Sequence, residues 1–184
     1  GFQPESDAIA AVNACYQPLQ WPKLYDMRIW TLDIIAGESV VGAGGGTDGP
    51  ETVEMAKFIA TSDNFAELDL WRGPSPGILR CNFVLANVPQ MDINKELPAR
   101  LLGEAHFLRA HYYFILVRLF GGVPMPTEPL SADSELKMPR ASVDEIYTLI
   151  KEDLNQAIAL LPTRSKYGSK DIGRATKEAA MAEL

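Results

Sequence analysis

The sequence predicts an all-α fold, on three observations. Apolar residues recur at intervals of three and four in several segments, which is the spacing of one helix face. Pro and Gly separate these segments, and no segment alternates convincingly as a strand. The spacing from Ala157 to Pro162 matches the end of a tetratricopeptide unit, where a small residue packs at the helix crossing and Pro ends the helix. We therefore expect tetratricopeptide-like helical pairs.

One domain over residues 1–184 is the expected organisation. The chain has 184 residues, of which 47% are hydrophobic, so it can bury a core. Two helices are predicted first. One begins at Ser6 or Asp7, either of which can cap it, and ends at the turn QPLQWP, and the other spans roughly Lys23 to Ala36.

The stretch GESVVGAGGGTDGP, Gly37–Pro50, is too rich in glycine for a helix and lacks the lysine of a phosphate-binding loop. We interpret it as an exposed connection. The alternative is that its Gly42–Gly49 part closes over a ligand.

A further helix is predicted to start near Gly77 and to end at Pro89. Its apolar face contains Ile78, Cys81, Leu85 and Val88. Cys81 and Cys15 lack CxxC spacing and occupy apolar stripes, so we interpret both as buried thiols.

The central predicted helix starts near Asn94 and contains EAHFLRAHYYFILVRLF. One face carries apolar residues at helical spacing, and further aromatic and aliphatic residues broaden that face. These residues are Ala105, Leu108, Tyr112, Ile115 and Leu119, broadened by Phe107, Phe114 and Val117. Such wide apolar coverage predicts that the helix lies between other helices.

The next helix starts with a capping box, Ser142 and Glu145, and Pro162 closes it. Its predicted buried positions are Val143, Ile146, Tyr147, Ile150, Leu154, Ala157 and Leu161. The acids Asp144, Glu145, Glu152 and Asp153 are expected largely on the solvated face.

A last helix is predicted after Gly173, with Ala175, Ala179 and Ala182 available for close packing. It has no stop signal, so we expect the chain to be part of a longer protein.

Charge and motifs exclude several classes of function. The chain has 17 basic and 24 acidic residues and no basic run, so nucleic acid is not an expected partner. The longest apolar stretch, Tyr112 to Val117, is far shorter than a membrane span. His106 and His111 are five residues apart and do not form a chelating i, i+4 pair, and no HExxH or GxSxG motif is present. We expect no metal, no cofactor and no catalytic residues.

Charged residues do recur on the central helix. Glu104, His111 and Arg118 are seven residues apart and share one stripe. We interpret them as paired charges that tie this helix to its neighbours, rather than as an active site. Arg109 lies nine residues before Arg118 and therefore on the opposite face of the helix, so the two side chains cannot bind one anion together.

A sugar site needs a flat aromatic face with nearby amides and carboxylates. Trp71 lies beside Pro- and Gly-rich residues and close to Asn64 and Asp69, so these three residues are the predicted ligand-binding site. The alternative is that Trp71 is a core residue at a helix end.

The central segment EAHFLRAHYYFILVRLFGGVPMP resembles the signature helix of the SusD/RagB family of outer-membrane glycan-binding lipoproteins. The matching residues are Glu104, Ala105, Phe107, Leu108, Arg109, Ala110, Phe114, Leu116, Val117, Arg118, Phe120, Gly121, Val123 and Pro124. The segments ESDAIAAVNACYQPL, ILRCNFVLANVP, IYTLIKEDLNQAIALLP and GRATKEAA resemble the family in the same order. Two features depart from it: His106 replaces an arginine, and WRGPSPGIL contains two additional prolines.

The resemblance implies the N-terminal helical part of a non-catalytic protein that binds a glycan. It also implies a lipid anchor outside this chain, on the outer surface of the outer membrane, and a SusC-like TonB-dependent transporter as partner. The alternatives are an intracellular tetratricopeptide-type adaptor that binds a peptide in a helical groove, and an α-helical glycosidase.

Overall fold

The chain folds as an assembly of α-helices in the computed structural model, which describes residues 4–21, 50, 54, 57, 71–94, 96–130 and 138–184. The helices are α1 (Pro4–Tyr16), α2 (Pro74–Asn87), α3 (Glu96–Phe120), α4 (Val143–Leu160) and α5 (Lys177–Glu183). Short 3-10 turns lie at Gln17–Gln20, Val88–Gln90, Arg164–Lys166 and Ser169–Asp171. The predicted all-α class is confirmed. The predicted helix Lys23–Ala36 and the Gly42–Gly49 loop lie outside the described residues.

The chain divides into two compact units. Gly1–Gln17 and Pro74–Leu184 form the first, and Pro18–Gly73 forms the second. Helices α1 to α5 all belong to the first unit.

Two helices begin earlier than predicted. Helix α1 begins at Pro4 rather than at Ser6 or Asp7, and α2 begins at Pro74 rather than near Gly77. The first turn of a helix tolerates proline, because its backbone nitrogens have no acceptor within the helix. The prolines of the segment GPSPG therefore lie inside the first turn of α2, not before it.

Helices α3 and α5 begin later than predicted. The side chain of Asn94 accepts a hydrogen bond from the backbone nitrogen of Glu96 at 3.2 Å, and α3 begins at Glu96. Thr176 caps α5 by accepting from the backbone nitrogen of Ala179 at 3.1 Å.

Helix α3 packs against α1, α2 and α4, which confirms its predicted position between other helices. Leu101, Ala105, Leu108 and Tyr112 are fully buried along it. The helix ends at Phe120. The next residue, Gly121, has a φ of 67°, in the left-handed region that favours glycine, and its nitrogen donates to the Val117 carbonyl at 3.0 Å.

The predicted capping box of α4 is confirmed. The Ser142 hydroxyl accepts from the Glu145 nitrogen at 3.1 Å, and the Glu145 carboxylate accepts from the Ser142 nitrogen at 2.7 Å. The Ser142 backbone donor lowers the pKa of Glu145. Val143 is 41% exposed, so its predicted burial is wrong. It is the first residue of the helix and projects beyond the end of the packed stripe.

A small apolar cluster joins α4 to α5. It contains Ala157, Leu161, Ala175 and Ala180, with Phe107 and Ile158 packed against it. Ala157 is fully buried in this cluster. Ala182, predicted to be available for packing but without a following partner, is exposed. Because α5 starts at Lys177, Ala180 takes the position that faces α4.

Among the described residues, no helix is both long and apolar enough to cross a bilayer.

Candidate functional site

The predicted sugar platform, Trp71, lies in a helical turn and is half-buried. Asn64 and Asp69, the polar residues predicted to accompany it, lie outside the described residues. The grouping of these three residues therefore stays a prediction. A half-buried indole retains some accessible surface, which a stacking platform requires.

A buried ion pair joins α3 to α4. The Arg109 guanidinium donates to both carboxylate oxygens of Asp153, at 2.7 Å each. Both residues are buried, Arg109 being 6% and Asp153 2% exposed. Burial opposes the charge on Arg109, but the hydrogen bonds and attraction of Asp153 outweigh it and raise the pKa of Arg109. The expectation that Asp153 lies on the solvated face is therefore wrong.

Asp153 also contacts the residue that departs from the family signature. The Nδ1 atom of His106 lies 2.7 Å from Oδ1 of Asp153. His106 thus has a structural partner, as its position on a packed helix predicted. The sequence signal for Asp153 was its place in the apolar stripe, three residues after Ile150 and four before Ala157.

The same arginine holds the segment that follows α3. Arg109 donates to the side-chain oxygen of Asn82 at 3.0 Å and to the Thr127 carbonyl at 3.1 Å. Asn82 in turn donates to the Pro126 carbonyl at 3.0 Å, and the Tyr113 hydroxyl donates to that carbonyl at 2.6 Å. The side chains of this cluster thus hold the backbone of residues 126–127 in place through hydrogen bonds to its carbonyls.

A second polar cluster surrounds Glu104, which is fully buried. Its Oε1 atom accepts from the Tyr16 hydroxyl at 2.7 Å and from Arg174 at 3.0 Å. Burial raises the pKa of Tyr16 well above its usual range, and the Glu104 carboxylate raises it further. The second carboxylate oxygen lies 3.7 Å from Nε of Arg100. Glu104 therefore links α1, α3 and the loop before α5, as its predicted pairing role requires.

The other members of the predicted charge stripe lie closer to solvent. His111 Nδ1 lies 3.1 Å from a carboxylate oxygen of Glu183, with His111 half-buried and Glu183 exposed. The Arg118 guanidinium is exposed and lies 5.0 Å from the centre of the Phe114 ring. The stripe does not form a common site.

An open cleft of about 600 Å³ lies between α3, the end of α4 and the turn Arg164–Lys166. Its apolar lining includes Leu97, Leu161 and Pro162, and its polar lining includes Asn94, Arg100 and Lys166. The polar groups are suited to hydroxyl groups, but the described lining contains no aromatic ring for the apolar side of a sugar. The described lining of the cleft therefore lacks the stacking platform of a sugar site.

In the part of the chain that the structure describes, no three His, Cys, Asp or Glu side chains are grouped as metal ligands. The buried acids, Glu104 and Asp153, are occupied by arginines and cannot reach a substrate in solvent. Their geometry is that of structural ion pairs.

Comparison with known proteins gives a consistent result. The model of the SusD-like family described as "Starch-binding associating with outer membrane" matches residues 46–184. SusD-like protein P25 of Formosa agariphila is 29% identical over an alignment of 185 positions, which covers 97% of this chain and 35% of that protein.

Solved structures agree. A laminarin binding SusD-like protein is 29% identical with a TM-score of 0.83, over 100% of this chain and 39% of that one. Surface glycan-binding protein A from Bacteroides uniformis is 27% identical with a TM-score of 0.83, over 97% of this chain and 40% of that one. The chain spans well under half the length of these relatives. The family match over residues 46–184, together with these whole-chain similarities, shows that this chain belongs to the SusD-like family.

Proposed function

We propose that the protein containing this chain binds an oligosaccharide or polysaccharide nutrient at the cell surface and does not cleave it. The observation that carries this proposal is the similarity over the whole chain to a laminarin binding SusD-like protein. The structural use of Glu104 and Asp153 supports a role without catalysis, because both carboxylates are buried against arginines.

The proposed location is the outer surface of the outer membrane, where a lipid anchor holds the protein. The family description, which names starch binding and the outer membrane, supports this location. We further propose that the bound glycan passes to a SusC-like TonB-dependent outer-membrane transporter. The helices packed around α3 would then hold a binding surface in place.

Within this chain, we propose that Trp71 stacks on the apolar face of a sugar ring and that Asn64 and Asp69 bind its hydroxyl groups. The net charge of −7 favours a neutral glycan over an anionic one. A neutral β-glucan is the first ligand to test, because one similar structure is of a laminarin binding protein.

The test is calorimetric titration of the full-length protein with laminarin, starch and alginate, followed by chromatography of each glycan after long incubation. We expect saturable binding to a neutral glucan, weak or absent binding to the anionic alginate, and recovery of intact glycan. Shortened products would contradict a non-catalytic role. Failure to bind any glycan in a broad panel would contradict the proposed function itself.

A further inference from the structure

Two cysteines meet where α1 packs against α2. Cys15 on α1 and Cys81 on α2 are free thiols, and both are fully buried. The Cys15 thiol donates to the Ala11 carbonyl at 3.3 Å. Cys15 is also among the groups that raise the pKa of Cys81, as a thiol lying close to it across the interface would. The two sulfur atoms are therefore neighbours across the helix interface.

The backbone on either side of this pair is held by hydrogen bonds. Arg80, the neighbour of Cys81, donates to the Ala14 carbonyl at 2.9 Å. The Tyr112 hydroxyl donates to the carbonyl of Cys15 itself. The first bond ties the end of α1 to α2, and the second ties it to α3, which packs against both helices at the position of the two thiols. A disulfide requires such close approach of the two backbones.

We propose that Cys15 and Cys81 form an intramolecular disulfide when the protein folds in the presence of an organic disulfide oxidant. One cysteine thiolate attacks the oxidant and forms a mixed disulfide, releasing one thiolate of the oxidant. The second cysteine thiolate then attacks the sulfur of the first and releases the other. Two electrons pass from the cysteines to the oxidant, and the two cysteine protons leave with the reduced oxidant as its thiols.

The reaction belongs to folding rather than to the folded state. In the folded chain both thiols are inaccessible, and burial raises the pKa of Cys81, so the reactive thiolate is scarce. During folding both thiols are exposed until α1 docks on α2. The interface then brings them together, and it determines which pair forms.

The bond would close a loop from Cys15 to Cys81 that contains the whole of the second unit, Pro18–Gly73. A disulfide that closes a long loop restricts the unfolded chain and so stabilises the fold. This inference does not depend on glycan binding, and it concerns a covalent modification that the proposed function does not require.

The experiment uses the full-length protein, unfolded under reducing conditions and refolded with either oxidised or reduced glutathione. Remaining thiols are alkylated in denaturant, and the peptides are mapped by mass spectrometry. We expect a linked Cys15–Cys81 peptide, lighter by two hydrogen atoms than its reduced halves, only after oxidative refolding. We also expect a higher Tm for this sample, which a reductant lowers to that of the other sample.

Two controls separate this result from general oxidation. Cys15→Ser and Cys81→Ser should each abolish the linked peptide and the dependence of Tm on reductant. Oxidised glutathione added to the folded, reduced protein should produce the linked peptide far more slowly than during refolding. The proposal is overturned if both cysteines of the parent protein are alkylated after oxidative refolding, or if each carries only glutathione. The peptide map of the parent protein decides this even if a variant fails to fold.

Discussion

Arg109 on α3 and Asp153 on α4 share two hydrogen bonds of 2.7 Å in a buried site. The guanidinium also binds Asn82 on α2 and the Thr127 carbonyl, so one charged group connects three helices and a loop. Removing both charges from water has a high cost, which good geometry and further hydrogen bonds offset. The importance of the pair therefore becomes measurable when one partner is removed.

Asp153→Asn should strongly destabilise the protein. The amide nearly preserves the shape of the side chain but leaves the Arg109 charge buried without its counter-charge. The expected loss is about 3 to 5 kcal/mol in the free energy of unfolding, measured by urea denaturation. Glu152→Gln is the matched control, because Glu152 is the exposed neighbour on the same helix, and its effect should be within about 0.5 kcal/mol. Equal effects of the two changes would refute the described pair.

Gly77→Ala should destabilise the packing of α2 on α3. A Cβ atom at position 77 would lie 2.7 Å from Cζ of the Tyr112 ring, which is fully buried and cannot move freely. Overpacking of this kind costs about 1 to 3 kcal/mol, measurable as a lower Tm. Gly168→Ala serves as the control, since no atom lies within 4 Å of its added Cβ. A Tm for Gly77→Ala equal to that of the control would show that the two helices are not so close.

Leu108→Ala should open a cavity in the centre of the first unit. Leu108 is fully buried, and its truncation should cost about 2 to 5 kcal/mol in thermal or chemical unfolding. Phe114→Ala should cost less, because Phe114 is half-buried and meets Tyr147 edge to face. Val143→Ala, at an exposed position, is the comparison. Unchanged melting of the Leu108 variant would mean that α3 is not the core helix.

The capping box of α4 should make stability depend on pH. The pKa of Glu145 is lowered in the folded chain from its usual value of 4.5, so its contribution is present above pH 4.5 and is lost as the pH falls through the folded pKa. The Tm difference between the parent and Glu145→Gln should therefore be largest at neutral pH and should shrink in acid. A difference that stays constant from neutral to strongly acidic pH would exclude this role of the carboxylate.

Local sequence patterns predicted α3 and α4 because the information for a helix lies within a few turns. The apolar spacing around Leu108 and the pair Ser142 and Glu145 are local signals. The capping residues Ser6 and Asp7 predict a later start for α1, and Pro76 with Gly77 predicts a later start for α2, but the first turn of each helix also accepts the earlier prolines, Pro4 and Pro74.

The partners within the polar clusters could not be predicted from the sequence alone, because the fold brings them together. Tyr16 and Arg174, which both bind Glu104, are 88 and 70 residues away from it in sequence, and no periodicity pairs such positions. Asp153 was assigned to solvent by its charge, although its position lies in the apolar stripe. The glycan site is even harder to predict from the sequence, because a single tryptophan has no periodic spacing from which its partner residues can be inferred.

The most direct test of glycan binding through this chain compares Trp71→Ala with Trp71→Phe in the full-length protein. Calorimetric titration with the glucan that the parent binds gives the affinities, and circular dichroism checks the fold. Loss of the aromatic face in Trp71→Ala should weaken binding by about 1 to 3 kcal/mol, with an unchanged spectrum, whereas Trp71→Phe should retain most of the affinity. Equal affinity of the parent and Trp71→Ala would contradict the account and place the glycan site outside this chain.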